Sequence, residues 1–167
     1  MKPEVPIEVD AGTGEWSVDG IPMILVPQHF FLNNHLAIES ALGVEKYSQL
    51  LFKAGHKSAY VWCEKEAKTH GLNGVEVFHH YMKRLSQRGW GQFGVEAVDA
   101  QTGRARVQVR HSVFAVQGKG KTCYMFRGWF PGALEFVGGK KLRLASTEIQ
   151  CAAEGRHDHC IFETRPL

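Results

Sequence analysis

Long apolar runs are missing from this 167-residue chain; none approaches the ~18 consecutive apolar residues that a membrane-spanning helix needs. The opening residues Lys2, Pro3, Glu4 and Pro6 put charge and proline where a secretory leader requires an apolar stretch, so a soluble, cytoplasmic protein is expected. One-sided charge is missing too. Lys plus Arg number 20 against 17 Asp plus Glu, a net +3, which is too even for an electrostatic nucleic-acid surface. The denser group Lys119, Lys121, Arg127, Lys140, Lys141 and Arg143 reads as a solvated face, and no direct nucleic-acid contact is expected. Cys-x2-Cys pairs are absent, which excludes the common zinc-finger arrangement. No Walker-type phosphate loop, dinucleotide-binding fingerprint, flavin signature or helix-turn-helix signal is read in the chain. Internal repeats are absent as well.

What is present is the composition of a globular domain: 44% hydrophobic, 22% charged and 11% aromatic residues. A chain of this length hides roughly 70% of its extended surface, enough for a core without disulfide staples. Against that ordinary background stand four cysteines and nine histidines.

Four of the six prolines, Pro3, Pro6, Pro22 and Pro27, fall in residues 1–28, which read as an N-terminal arm laid on a body of residues 29–167. Within the arm, Trp16–Val18 and Met23–Val26 are expected as short strands joined by an Asp19-Gly20 turn. Helices are predicted over 29–42, with a stripe from Phe31 through Ile38 to Leu42, and over 44–69, with Tyr47, Leu50, Leu51, Ala54, Val61 and Trp62 at helical spacing. Gly71 is a natural stop. Asn73 is expected to cap a third helix, with Glu76 three residues on and Val75, Phe78, Met82 and Leu85 as its buried stripe. The period then becomes two. Val107, Val109, His111, Val113 and Ala115 share one face of a strand that forms a hairpin with residues 90–98. Residues 123–137 return to helical spacing, with Pro131 predicting a kink or a late start. Gly128 and Gly132, four apart, would admit another backbone closely. Strands near 141–151 and 159–164 complete an α+β domain: helices on a roughly four-stranded antiparallel sheet.

Three cysteines lie in the last 45 residues, Cys123, Cys151 and Cys160. The Cys151–Cys160 loop brings two thiols to the ends of one hairpin. Glu148 joins them only if its strand bends, because residues three apart on a regular strand face opposite ways. With Cys123 at a helix start, three thiolates and a carboxylate would form a closed, structural tetrahedral site. His157 and His159 are competing ligands in the same loop. The competing reading of the set is three reduced thiols buried as small apolar groups. Cys63 has no partner by spacing and reads as a core thiol. The adjacent His79 and His80 point about 100° apart on their helix and do not share one ion.

The run Cys123-Tyr-Met-Phe-Arg-Gly128-Trp-Phe-Pro-Gly132-Ala-Leu-Glu-Phe-Val-Gly138, then Glu148-x2-Cys151-x3-Gly155 and Cys160, resembles the 4-vinyl reductase domain family. That family includes the hydrocarbon-binding sensory domains of phenol- and xylene-responsive transcription activators. The resemblance is specific over about residues 105–163, and the order of the preceding helices agrees with it. It implies the fold of a trafficking-particle (TRAPP) subunit, commonly a homodimer. It also implies zinc held by Cys123, Glu148, Cys151 and Cys160, and a small apolar or aromatic ligand bound beside the zinc loop. The aromatics near such a pocket are Tyr60, Trp62, Phe78, Tyr124, Trp129 and Phe130, although each alone also suits plain core packing. His111, on the inward phase of its strand, would hydrogen-bond a polar group of the ligand; the alternative is a core or dimer-interface histidine.

Three functions compete. The first is a stand-alone small-molecule-binding module with structural zinc, sensory or accessory to a catabolic pathway. Without a DNA-reading element, such a module signals through a partner. The second is a reductase acting on a vinyl or aromatic substrate, which needs a hydride donor and an open metal position. The third is a dimeric scaffold.

Overall fold

The computed structural model describes residues 5–116, 120–139 and 142–167. Residues 1–4 and Lys119, Lys140 and Lys141, named above, lie outside the described residues. Among the described residues no helix is long and apolar enough to cross a membrane.

The arm is a small antiparallel sheet of β1 (Glu8–Val9), β2 (Trp16–Val18) and β3 (Ile21–Met23). Val18 pairs with Ile21, so Asp19-Gly20 is a two-residue turn. Asp19 at φ 53° and Gly20 at φ 69° have the positive φ values that suit such a turn to twisted strands. β3 begins two residues earlier than the spacing suggested and contains Pro22, which the edge of a sheet tolerates.

The body follows in the order α1 (Gln28–Leu42), α2 (Val44–His70), α3 (Val75–Gln87), β4 (Gln92–Asp99), β5 (Arg104–Arg110), α4 (Tyr124–Gly138), β6 (Leu144–Gln150), a short 3-10 turn (Ala152–Glu154) and β7 (His159–Pro166). The four body strands are antiparallel in the order β4-β5-β7-β6, giving helices on a four-stranded sheet, an α+β fold. The final strand lies inside the sheet, because β7 pairs with both β5 and β6.

Several local expectations are corrected by packing. α3 starts at Val75 with Gly74 as its N-cap and no side-chain cap; Asn73 instead donates to the Gly71 carbonyl. α4 begins at Tyr124 and continues through Pro131, so no late start occurs. The inward face of α1 is Phe31 and His35, while Ile38 and Leu42 are exposed. On α2 the buried line is Tyr47, Gly55, Ala59, Cys63 and Glu66, while Leu50 and Val61 are exposed. Large apolar residues mark a helix by eye, but α2 turns small ones inward because α4 approaches its backbone. A Cβ on Gly55 would sit 2.6 Å from the Met125 carbonyl oxygen; on Gly128 it would collide with the Phe52 carbonyl, and on Gly132 with that of His56. The chain also contains a Gly-x-Gly-x2-Gly spacing, at Gly89, Gly91 and Gly94. It follows α3 and opens β4, the reverse of the strand-to-helix setting that binds a dinucleotide phosphate.

The α2–α4 contact yields a test. Gly128→Ala or Gly132→Ala must push two backbones apart and should cost about 3 kcal/mol, lowering Tm by roughly 6–12 °C. Gly94→Ala, whose added carbon meets nothing nearer than 4.0 Å, should stay within about 0.5 kcal/mol. Thermal unfolding followed by circular dichroism measures both.

Candidate metal centre and aromatic layer

Four side chains from three elements converge at one end of the sheet. Cys123 caps the start of α4, Glu148 lies on β6, Cys151 follows β6, and Cys160 lies near the start of β7. All four are buried, and their ligand atoms lie within 4.8 Å of one another. The strand does bend. On β6 the step from Glu148 to Gln150 matches a single step on β7, from Phe162 to Ile161, so Ile149 is an inserted bulge residue. The bulge absorbs the residue that would otherwise turn Glu148 and Cys151 to opposite faces. The 3-10 turn after Cys151 then reverses the chain, with Gly155 in the left-handed region at φ 76°.

The spacing of the sulfurs is informative. Cys160 Sγ lies 3.8 Å from Cys151 Sγ and 3.9 Å from Cys123 Sγ. A tetrahedron with metal–sulfur bonds of ~2.3 Å has edges of about 3.8 Å, whereas a disulfide requires ~2.05 Å. The Ala152 amide donates to Cys160 Sγ at 3.3 Å. Ser112 Oγ accepts from the Phe114 amide at 3.2 Å and lies 3.2 Å from Cys123 Sγ, where its hydroxyl can donate to a thiolate. Such outer donors orient a thiolate and stabilise its charge. Among the described residues neither oxygen of the buried Glu148 meets hydrogen-bond geometry with any partner, although the three thiols lie close enough to shift its titration. A desolvated, unpartnered carboxyl is costly, and here both oxygens are free for an ion. The residues present therefore fit a closed S3O site.

Without a cation the four acids cannot all ionise. Burial first, then the neighbouring Cys151, pushes the Glu148 carboxyl up to about 8. The Cys160 thiol is held well below its ordinary range, first by the Cys123 thiol and then by that of Cys151, while Cys123 is pushed up by its hydrogen bond to Cys151. The pocket concentrates its negative charge on Cys160.

His157 is exposed, and His159 Nδ1 bonds Asp158 at 2.6 Å, so these two histidines stand apart from the four-residue set. His111 is corrected outright. β5 ends at Arg110, and His111 turns at φ 52° to an exposed position, so the inward phase does not extend to it. Cys63 is a buried free thiol on α2, and burial raises its pKa.

The six aromatics named from the sequence separate. Trp129 stands edge-on to Trp90 at 5.1 Å and against Phe126 at 4.9 Å; Phe130 packs on Phe162 at 5.0 Å. These rings form a layer between α4 and the sheet, which Phe114 joins 4.9 Å from Phe126. Trp62 packs against Tyr81, which in turn meets Trp129. Tyr124 is buried and lies 6.1 Å from the His35 ring. Phe78 is fully buried on α3, and Tyr60 pairs with Phe136 where α2 meets α4. One residue escaped the sequence reading. His35 is buried against Phe114 at 5.3 Å, its Nδ1 is 3.1 Å from the Tyr47 hydroxyl, and its Nε2 has no partner. Burial lowers its pKa, which favours the neutral ring. Its spacing four residues after Phe31 was the available signal.

The Glu148 shift gives a signed prediction. Its folded pKa lies above the ordinary 4.5, so in metal-free protein its contribution to stability is present below about 4.5 and lost as pH rises through about 8. Glu148→Gln should therefore help metal-free protein at pH 8 more than at pH 5, by on the order of 3 kcal/mol. Denaturant unfolding in chelator at the two pH values measures it.

The fold is shared with solved proteins, among them these three. The phenol-responsive sensory domain of the transcription activator PoxR, crystallised with phenol, superposes with TM-score 0.82 at 16% identity, covering 96% of this chain and 84% of that one. A vinyl-4-reductase family protein from Methanocaldococcus jannaschii gives TM-score 0.57 at 15% identity, covering 87% and 84%. A trafficking protein particle complex subunit 3 from Naegleria fowleri, covalently bound to palmitic acid, gives 0.59 at 14%, covering 84% and 95%. No curated protein matches the chain. Residues 1–96 match a family described as Domain of unknown function (DUF5943), and the chain belongs to that family.

Proposed function

We propose that this protein is a small-molecule-binding sensory or accessory module, related to the 4-vinyl reductase domains, whose sheet end is fastened by structural zinc. The observation that carries the zinc is the Glu148 carboxyl, buried beside three sulfurs, with Cys160 at tetrahedral-edge distance from both Cys123 and Cys151. Cys123, Glu148, Cys151 and Cys160 would hold the ion, and its charge would offset that of the buried thiolates and carboxylate. Four protein ligands leave no open coordination position, which favours a binding module over a metal-dependent reductase. Reduced cysteines of this kind suit a cytoplasmic protein.

The likeness to the PoxR sensory domain over nearly the whole chain supports an aromatic ligand. Its place here is the aromatic layer around Phe114, Phe126, Trp129 and Phe130, beside the clasp. His35 takes the role first assigned to His111. Its ring packs on Phe114, and its Nε2, which has no hydrogen-bond partner among the described residues, suits a ligand hydroxyl. The reading includes a homodimer, for which the exposed apolar stripe Phe30, Ile38 and Leu42 on α1 is the available surface.

Two outcomes are expected. A panel of phenols and heterocycles should raise Tm by mass action and change Trp90 and Trp129 fluorescence, with His35→Phe removing the response to hydroxylated members while the fold persists. No shift across the panel would sink the ligand reading. Zinc binding at pH 7 should expel protons from Cys123 and Glu148 at least, so apparent affinity should fall about a hundredfold per pH unit on acidification. Calorimetry in buffers of different ionisation enthalpy counts the protons; release of none would contradict the clasp.

A further inference from the structure

The N-terminal hairpin, α2 and α3 meet at a second group of ionisable side chains that neither the clasp nor the aromatic layer uses. Glu66 on α2 is completely buried. Its Oε2 lies 2.7 Å from His80 Nε2 on α3 and 3.5 Å from His70 Nε2 one turn along α2. Asp19, at the tip of the β2–β3 turn, brings Oδ1 to 3.6 Å from His70 Nε2. Its backbone sits at φ 53°, a conformation uncommon outside glycine, and holds that carboxylate against the helices.

We propose that Glu66, His70 and His80, closed by Asp19, form a site for a divalent transition metal that ties the N-terminal hairpin to α2 and α3. The three ligand atoms of Glu66, His70 and His80 lie within 4.8 Å of one another. A tetrahedral ion with nitrogen and oxygen bonds of ~2.05 Å has edges of about 3.3 Å, between the shortest and longest separations found here. Glu66 supplies an independent sign. Its Oε1 is buried and has no hydrogen-bond partner among the described residues, a costly state that an ion's charge would offset. Two imidazoles with two carboxylates select zinc, cobalt or nickel over calcium or magnesium.

The surroundings fit this role. Side-chain exposures of 31% for His70 and 18% for His80 give an ion a way in without unfolding. Arg84 braces both carboxylates from outside the donor set, with Nη2 2.8 Å from Asp19 Oδ2 and Nε 3.6 Å from Glu66 Oε2. Trp62 stacks on the His80 ring and carries Arg88 on its face. The two guanidiniums make the pocket less anionic than the cysteine clasp, so it binds more weakly and fills second. The site stands independently of the zinc clasp, because it shares no residue with it.

Cobalt(II) titration of the metal-free protein separates the two sites. The clasp gives a thiolate-to-cobalt charge-transfer absorption; the second site gives a heat of binding and none of that absorption. The expected result is two equivalents in the unaltered chain. Cys151→Ser with Cys160→Ser should remove the absorbing equivalent, and His70→Ala should remove the other. Because His70 is partly exposed, its variant should keep its fold in chelator, and His80→Gln provides a second check. A single equivalent that is wholly thiolate-bound would overturn the proposal, as would a second equivalent that survives both histidine variants.

Discussion

A buried carboxyl that faces three buried sulfurs is the constraint around which this end of the molecule is organised. Among the described residues Glu148 has no partner at hydrogen-bond geometry for either oxygen, and the thiols beside it offset only part of the cost of its burial. Its place depends on the bulge at Ile149 that turns it inward. The same bulge aligns Cys151 with Cys160 across the loop, and the start of α4 closes the group with Cys123. A divalent cation with four bonds would turn an electrostatic cost into a cross-link between β6, β7 and α4.

α4 transmits that constraint to the rest of the body. Cys123 of the proposed clasp immediately precedes it, Phe126, Trp129 and Phe130 line the aromatic layer, and its glycines meet α2 backbone to backbone. A shift at the clasp therefore moves the aromatic layer as well, since both ride on one helix. That coupling supplies a physical route by which a ligand among the rings could be felt at the surface that α1 presents. His35 connects these parts, being on α1 yet packed against Phe114 and Tyr124.

Much of the architecture was legible in the sequence, because period and punctuation were clear. The helix over 44–69, the hairpin after Gly89 and the α+β class follow from spacing alone. The gathering of Cys123, Glu148, Cys151 and Cys160 was legible, with Glu148 conditional on a bent strand, and the bend exists. Other features were hidden for identifiable reasons. His111 itself is left-handed and β5 ends one position before it, which no alternation pattern reveals. Counting large apolar residues found Tyr47 on the buried face of α2 but also chose the exposed Leu50 and Val61, because close helix contact rewards glycine and alanine. The cluster of Asp19, Glu66, His70 and His80 joins residues up to 61 positions apart, and only the i, i+4 pair Glu66–His70 had a local signature. The place of β7 between β5 and β6 is likewise a non-local choice that sequence order does not encode.

The central claim is that the four-residue clasp holds zinc in the native protein. Native mass spectrometry of protein purified without added metal tests it directly. The account predicts one zinc per chain retained through gentle chelation, and its loss in a Cys160→Ser variant. A folded chain whose mass equals that of the bare polypeptide, with no metal taken up on adding zinc, would contradict it.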